Sequence, residues 1–314
     1  MPAEPSWRQK PSLCSSSQSV YISPASNTLN LSLQEVLSGR IFLVKEALQR
    51  CDLLKPVRET TFRVFAETVS LRVARDLEGR GLEQLHALVT PPQASTARSI
   101  LETRLRQIAN QMTMAFVEML SRKNSPLYLC KHFGVRIMMP ENAIAAYRAQ
   151  FEDQKGFMIP RGPHMDSWFN TGVNSLNLWI AISRVRPGNG LLIYPDAYGQ
   201  QVQRHGDSID PDAPVGAPIN FEMEPGDVLV FASDHLHASE SNVTDETRYV
   251  LTKRLSLGAP RYSPQGDSWV PYYDTRLLGT ALEPLASLRS RASSGYARDC
   301  LRTARRVLTR QRLS

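Results

Sequence analysis

The alternation of apolar and polar positions gives the chain two textures. From Leu29 onward, Leu33, Val36, Leu37, Val44 and Leu48 recur at intervals of three and four, which predicts helix. A second helical run is expected from about Glu59 to Leu77, broken at Gly79-Arg80-Gly81. After Pro91-Pro92, a cap at Ser95 or Thr96 would start a third, running to about Leu120. Leu101, Leu105, Ile108, Met112 and Phe116 form a stripe on that last helix, of the kind that packs against a sheet. Near Leu127 the texture changes to short apolar runs between Gly, Pro, Asn and Asp. Phe133–Met138, Leu176–Ile182, Gly190–Tyr194, Val228–Phe231 and Tyr249–Leu257 read as strands. Pro187-Gly188-Asn189-Gly190 and Glu224-Pro225-Gly226-Asp227 read as turns.

This pattern divides the chain into four parts. Residues 1–28, rich in Ser, Pro and Gln, are expected to form a flexible arm. Residues 29–126 form a helical region packing on the core, 127–279 the β core, and 280–314 a basic helical tail. Many short strands with strong turns predict a mainly β fold with flanking helices, in the sandwich, jelly-roll or cupin class.

Composition narrows the class of partner. A hydrophobic content of 42% with 21% charged residues suits a globular protein with a sizeable core. The net charge of +7 suggests a polyanion-binding protein until it is located. Eight Arg and one Asp fall in 289–314, which leaves 29 basic and 29 acidic residues elsewhere. The body is neutral, so nucleic acid is not an expected partner. No apolar stretch approaches the ~20 residues of a membrane span. The first residues lack the apolar run of a secretion signal, and Cys14, Cys51, Cys130 and Cys300 are scattered without a CxxC pair. Reduced thiols in a cytoplasmic protein are the expectation.

The chemistry concentrates in Pro163-His164-Met165-Asp166-Ser167 and His235-Leu236-His237. In an extended segment His164 and Asp166 project to the same side, offering an imidazole and a carboxylate as neighbouring metal ligands. A second imidazole would complete the 2-His-1-carboxylate face that leaves three positions open on non-haem iron. The second imidazole is His237 or His235. His205 lies in a polar stretch, and His86 and His132 have no carboxylate at useful spacing. Arg248 opens the strand after His237, where a hairpin would return it near the metal; it is either a carboxylate anchor or a surface ion-pair residue. Arg248, Val250 and Thr252 share one face of that strand. Asn177, Trp179, Ala181 and Ser183 share one face of another, which is a candidate cavity wall.

Taken in order, His164-Met165-Asp166, Leu178–Ile182, Gly190–Pro195, Gly226–Phe231, His237-Ala238-Ser239, Asn242 and Arg248 resemble the phytanoyl-CoA dioxygenase-like family. The resemblance covers about residues 130–257. It implies a double-stranded β-helix core and an Fe(II)- and 2-oxoglutarate-dependent oxygenase. It also implies His164, Asp166 and His237 as iron ligands, favouring His237 over His235. Arg248 becomes the anchor for the distal carboxylate of 2-oxoglutarate, and Trp179 an aromatic position near that cosubstrate. Asn189-Gly190-Leu191 and Pro195-Asp196-Ala197-Tyr198 depart from the family's usual middle turn, which often borders the substrate. Related halogenases carry a small residue in place of the carboxylate, so Asp166 favours hydroxylation or another oxidation.

The implied function is oxidation of an unactivated C–H bond in a small molecule, of the specialised-metabolite kind, free or tethered to a carrier or CoA. The competing readings are a non-catalytic jelly-roll binding protein and a cupin-type metalloenzyme independent of 2-oxoglutarate. The basic tail is either a solvated helix or a dock for an acidic carrier or a second subunit, so a homo-oligomer is among the expected partners.

Overall fold

Thirteen strands, two sheets and a layer of helices are laid out in a computed structural model that describes residues 12–13, 20–23, 33–119, 127–210, 212–263, 266–267 and 270–277. The basic tail lies outside the described residues, as does most of the N-terminal arm. In chain order the strands are β1 (Ser12–Leu13), β2 (Val20–Ser23), β3 (Ile41–Val44), β4 (Leu127–Met138), β5 (Ser175–Ala181), β6 (Leu191–Ile193) and β7 (Arg204–His205). They continue with β8 (Ser208–Ile209), β9 (Ile219–Asn220), β10 (Val228–Ala232), β11 (His237–Ser239), β12 (Arg248–Leu257) and β13 (Tyr272–Asp274).

The larger sheet has seven strands in the order β13-β4-β12-β5-β10-β3-β2, antiparallel except for the parallel β2/β3 pair. The smaller has the order β1-β9-β6-β11, antiparallel except for β1/β9. A two-stranded ribbon, β7-β8, stands apart. The result is a mixed helical and largely antiparallel structure.

Side-chain alternation explains the layers. Tyr249, Leu251 and Leu255 of β12 and Leu178 and Ile180 of β5 face a core shared with Val57, Phe65, Leu77, Ala97 and Leu101 of the helices. Across that interface the hydroxyls of Thr61 and Tyr249 are 3.1 Å apart. The opposite face turns Trp179, Ala181, Leu229, Phe231 and Val250 toward Leu191 and Ile193 of the smaller sheet. No described helix is long and apolar enough to cross a membrane.

Several elements differ from the sequence expectation. The run expected to be helical over Leu29–Leu48 contains β3, because Ile41-Phe42-Leu43-Val44 is buried on both faces and pairs with β10. A fully buried strand loses its two-residue alternation and cannot be told from helix by periodicity. Val20–Ser23, within the expected arm, is held as β2 beside β3. The second helical run resolves into Leu54–Thr68 and Leu71–Arg80, with Gly81 (φ +92°) ending it. The third begins at Pro91 and not after Ser95. Thr90 caps it with Gln93 in a reciprocal capping box, and it breaks into Pro91–Arg104 and Arg106–Met119.

Candidate metal centre

His164 and His237 meet because their backbones pair. His164 N–H donates to the His237 carbonyl at 2.9 Å, and His237 N–H donates to the His164 carbonyl at 3.0 Å. Residues directly opposite in such an antiparallel pair project their side chains to the same face. The two rings stand 4.3 Å apart. Met165 is extended, and Asp166 then opens a short 3-10 turn, Asp166–Trp168, with its N–H on the Ser233 carbonyl at 3.0 Å. His164 Nε2 and Asp166 Oδ1 are 3.8 Å apart. One ligand atom from each of His164, Asp166 and His237 lies within 4.8 Å of the others, and all three residues are buried.

The cluster has the donors a divalent metal requires. Nδ1 of His164 donates to the Gly162 carbonyl at 2.8 Å and Nδ1 of His237 to the His235 carbonyl at 2.9 Å. Each imidazole is therefore fixed with Nε2 free to ligate, the arrangement in which a second hydrogen bond orients a metal-binding histidine. Burial pushes both imidazoles below their ordinary range, so they stand neutral. Burial alone would raise the Asp166 carboxyl, but Arg254 and then the neighbouring imidazoles outweigh it and hold it well below the usual carboxylate range. Neutral imidazoles and an ionised carboxylate are the protonation states that bind metal.

Arg254 was not singled out from the sequence. Its Nη2 is 2.9 Å from Asp166 Oδ1, and its Nε is 3.1 Å from Asp166 Oδ2 and 2.9 Å from Asn177 Oδ1. Nδ2 of Asn177 is buried without a partner. The signal that would have found Arg254 is the two-residue step: Arg248, Val250, Thr252 and Arg254 occupy one face of β12.

Arg248 and Trp179 come together, with the guanidinium 5.5 Å from the indole centroid. Arg248 is 1% exposed. Its Nη1 donates to the carbonyls of Asn189 (2.8 Å) and Gly190 (2.7 Å), the turn that departs from the family pattern. Its Nε is buried and unpartnered. A guanidinium satisfied at one end and orphaned at Nε fits a carboxylate accepting at the open edge, as 2-oxoglutarate would.

His235 has the opposite character. Its Nδ1 accepts from Ala232 N–H at 3.0 Å, its Nε2 donates to the Gly39 carbonyl at 3.1 Å, and its ring stacks on Tyr198. Both nitrogens are committed to the fold. His205 is exposed in β7, and His86 bonds Thr247 Oγ1 at 3.1 Å.

A cavity of about 450 Å³ opens on His164 and Asp166, lined by β4, β12, Arg161, Phe169 and the helix residues Glu102 and Arg106. At Gly134 a Cβ would stand 2.5 Å from Thr252 Oγ1, so the glycine lets β4 approach β12 closely there. Opposite Arg254 the pairing jumps from Lys253↔Phe133 to Leu255↔Leu129, so Cys130, Lys131 and His132 face one residue. Such a bulge re-aims side chains, and Lys131 and His132 are the exposed residues of an otherwise largely buried strand and line the cavity.

Comparison with known proteins gives one family-model match and several likenesses to solved structures. The chain is similar to the solved structure of the non-heme alpha ketoglutarate dependent carbocyclase SnoK from nogalamycin biosynthesis, at 14% identity and a TM-score of 0.35. That match covers 52% of this chain and 61% of the other, so the chain spans about six-tenths of that protein. AviO1 from Streptomyces viridochromogenes Tue57 is similar at 18% identity and a TM-score of 0.34, over 51% of this chain and 61% of that one. The apo form of the non-heme monooxygenase ThoJ matches over 77% of this chain and 89% of its own, at 13% identity and a TM-score of 0.39. A comparison with curated proteins returns no match. The segment that holds His164, Asp166, His237 and Arg248, residues 153–250, matches the phytanoyl-CoA dioxygenase (PhyH) family model.

Proposed function

We propose that the protein is an iron(II)- and 2-oxoglutarate-dependent oxygenase acting on a small molecule, with His164, Asp166 and His237 as the metal ligands. The observation that carries this reading is the cluster of three ligand atoms within 4.8 Å, its imidazoles already presenting Nε2. A 2-His-1-carboxylate face suits non-haem iron because it leaves positions for cosubstrate and oxygen. When bound, iron and 2-oxoglutarate supply the oxidising power for an unactivated C–H bond. The two facing sheets are read as a double-stranded β-helix, with the ligands on β11 and the segment paired to it.

The protein's own residues bind and orient. Arg248 holds the distal carboxylate of 2-oxoglutarate at its unpartnered Nε edge, with the Trp179 ring against the guanidinium and the Asn189 and Gly190 carbonyls fixing the other end. Arg254 keeps the Asp166 carboxylate ionised and aimed. The cavity beside His164 and Asp166 orients the substrate. A carboxylate at Asp166 supports hydroxylation or a related oxidation over halogenation.

Anaerobic titration with Fe(II) and then 2-oxoglutarate tests the reading through the visible charge-transfer band of the chelate. Wild type is expected to develop the band and to release succinate once oxygen and substrate are added. Losing a buried charged hydrogen bond costs roughly 2–5 kcal/mol. Arg248→Ala should therefore need more than tenfold more 2-oxoglutarate, with Fe(II) affinity nearly unchanged. An unaltered 2-oxoglutarate requirement removes Arg248 from the role, and absence of the band in wild type overturns the function.

A further inference from the structure

The cavity beside the metal cluster carries more positive charge than the cluster uses. Six cationic side chains line it, against the carboxylates of Glu102 and Asp166. Both carboxylates are already taken: Asp166 pairs with Arg254, and Glu102 with Arg98 at 2.6 Å. Lys155 has Glu152 and Asp207 at 3.7 and 4.0 Å. Arg106, Lys131, Arg136 and Arg161 remain, and none of them is in an ion pair among the described residues.

Two of these cations are held by contacts other than counter-charge. Arg136 donates to the Gly156 carbonyl and to Thr252 Oγ1, and its guanidinium lies 5.0 Å from the Phe157 centroid. Arg161 lies 4.1 Å over Phe169, with its Nε buried and unpartnered. Lys131 lies in the β4 bulge and lines the cavity, and its backbone N–H donates to the Pro271 carbonyl at 2.8 Å. Burial and repulsion from Arg254 and Arg161, against the attraction of Asp166 and Glu102, push Arg136 down to about 10. Like charges crowded in a concave, part-buried space repel one another, and such a cleft focuses field on an incoming anion.

The geometry points to a substrate that bears a phosphate ester: we propose that Arg106, Lys131, Arg136 and Arg161 bind its phosphate while the carbon to be oxidised lies toward His164 and Asp166. A phosphate ester carries about −1.5 to −2 charge and three acceptor oxygens near neutral pH. A lone carboxylate would leave about three of the four cations unanswered. The volume of about 450 Å³ suits one small-molecule substrate. Which molecule is oxidised rests on the oxygenase reading above; the anion site rests on the cavity alone.

Binding, which needs no turnover, separates the two. The full chain, kept anaerobic, is titrated calorimetrically first with Fe(II) and 2-oxoglutarate and then with phenyl phosphate, inorganic phosphate and benzoate. Phenyl phosphate is expected to bind at least tenfold more tightly than benzoate, and to weaken as salt is raised. Arg106 and Lys131 are exposed, so replacing them leaves the core intact. The double variant Arg106→Gln/Lys131→Gln should lose phenyl phosphate affinity at least tenfold and keep its 2-oxoglutarate affinity within twofold. Equal or tighter binding of benzoate overturns the phosphate in favour of a carboxylate substrate. A tenfold loss of 2-oxoglutarate affinity in the double variant overturns it in favour of a cosubstrate anchor. A protein that takes up 2-oxoglutarate but binds no phosphate overturns this inference and leaves the oxygenase reading standing. Phosphate binding without 2-oxoglutarate uptake upholds the anion site and fails the other.

Discussion

Single residues on β12 carry very different electrostatic loads. Lys253 is 2% exposed and donates to the Cys130 carbonyl at 2.7 Å. Burial, with Cys130 opposing and Arg106 adding, pushes its ammonium down to about 8. Below pH 8 the folded and unfolded chains both hold the proton. Between pH 8 and the unfolded value of about 10.5 only the unfolded chain does, so stability rises with pH there by at most ~1.4 kcal/mol per unit. The buried tyrosines Tyr249 and Tyr272, pushed up by burial, oppose this only above about pH 10. Urea unfolding of wild type should therefore gain about 1–2 kcal/mol between pH 8 and 9.5 relative to Lys253→Met. Parallel pH profiles for the two proteins would mean that Lys253 titrates as an exposed lysine. At this scale the sequence was legible where the signal is local: His164 and Asp166 stand two apart, and His237 follows a clear strand. Arg136 and Arg161 were not legible, because only the pairing of β4 with β12 and the loop before His164 bring them to Asp166.

Among the elements, β10 and its launching turn show how local chemistry fixes a strand. Asp227 is fully buried and accepts from the backbone N–H groups of Glu46 and Glu224, both at 2.8 Å, and from the Lys45 ammonium. Gly226, at φ +98°, carries the turn, and a Cβ there would stand 2.0 Å from Gln49 Oε1. The carboxylate thus ties the Glu224–Asp227 turn to the end of β3. Asp227→Ala leaves two backbone donors without their acceptor, and should lower stability by about 2–4 kcal/mol in urea unfolding. A loss under about 1 kcal/mol would mean that β3–β10 pairing alone holds the turn. The turn was legible from Pro225-Gly226-Asp227, and so were the bodies of β4, β5, β6, β10 and β12. β3 was not, because four consecutive buried apolar residues carry no period.

For the whole molecule, the metal cluster joins a segment ending in a 3-10 turn to β11 of the smaller sheet, and Asp166 ties it through Arg254 to the larger one. A ligand that binds only the folded state stabilises it by about 2.7 kcal/mol at a hundredfold excess over Kd. For a chain of this length that is a rise of roughly 5 °C in Tm. Wild type should show it with Fe(II) under anaerobic conditions, and His164→Ala, Asp166→Ala and His237→Ala should not. His235→Ala loses one buried and one part-buried hydrogen bond and should start about 2–4 kcal/mol less stable, yet keep the metal-induced rise. If His235→Ala abolishes the rise and His237→Ala keeps it, the third ligand is His235. The bulge in β4 has a consequence of another kind. Cys130, Lys131 and His132 oppose Arg254 because the strand is two residues longer there than straight pairing needs. The charge of the cavity is therefore written partly in strand length. A two-residue deletion would straighten β4 and withdraw Lys131 while leaving His164, Asp166 and His237 untouched. Among related chains, an alignment gap at this point would mark a change in the charge of this cavity with no substitution at His164, Asp166 or His237.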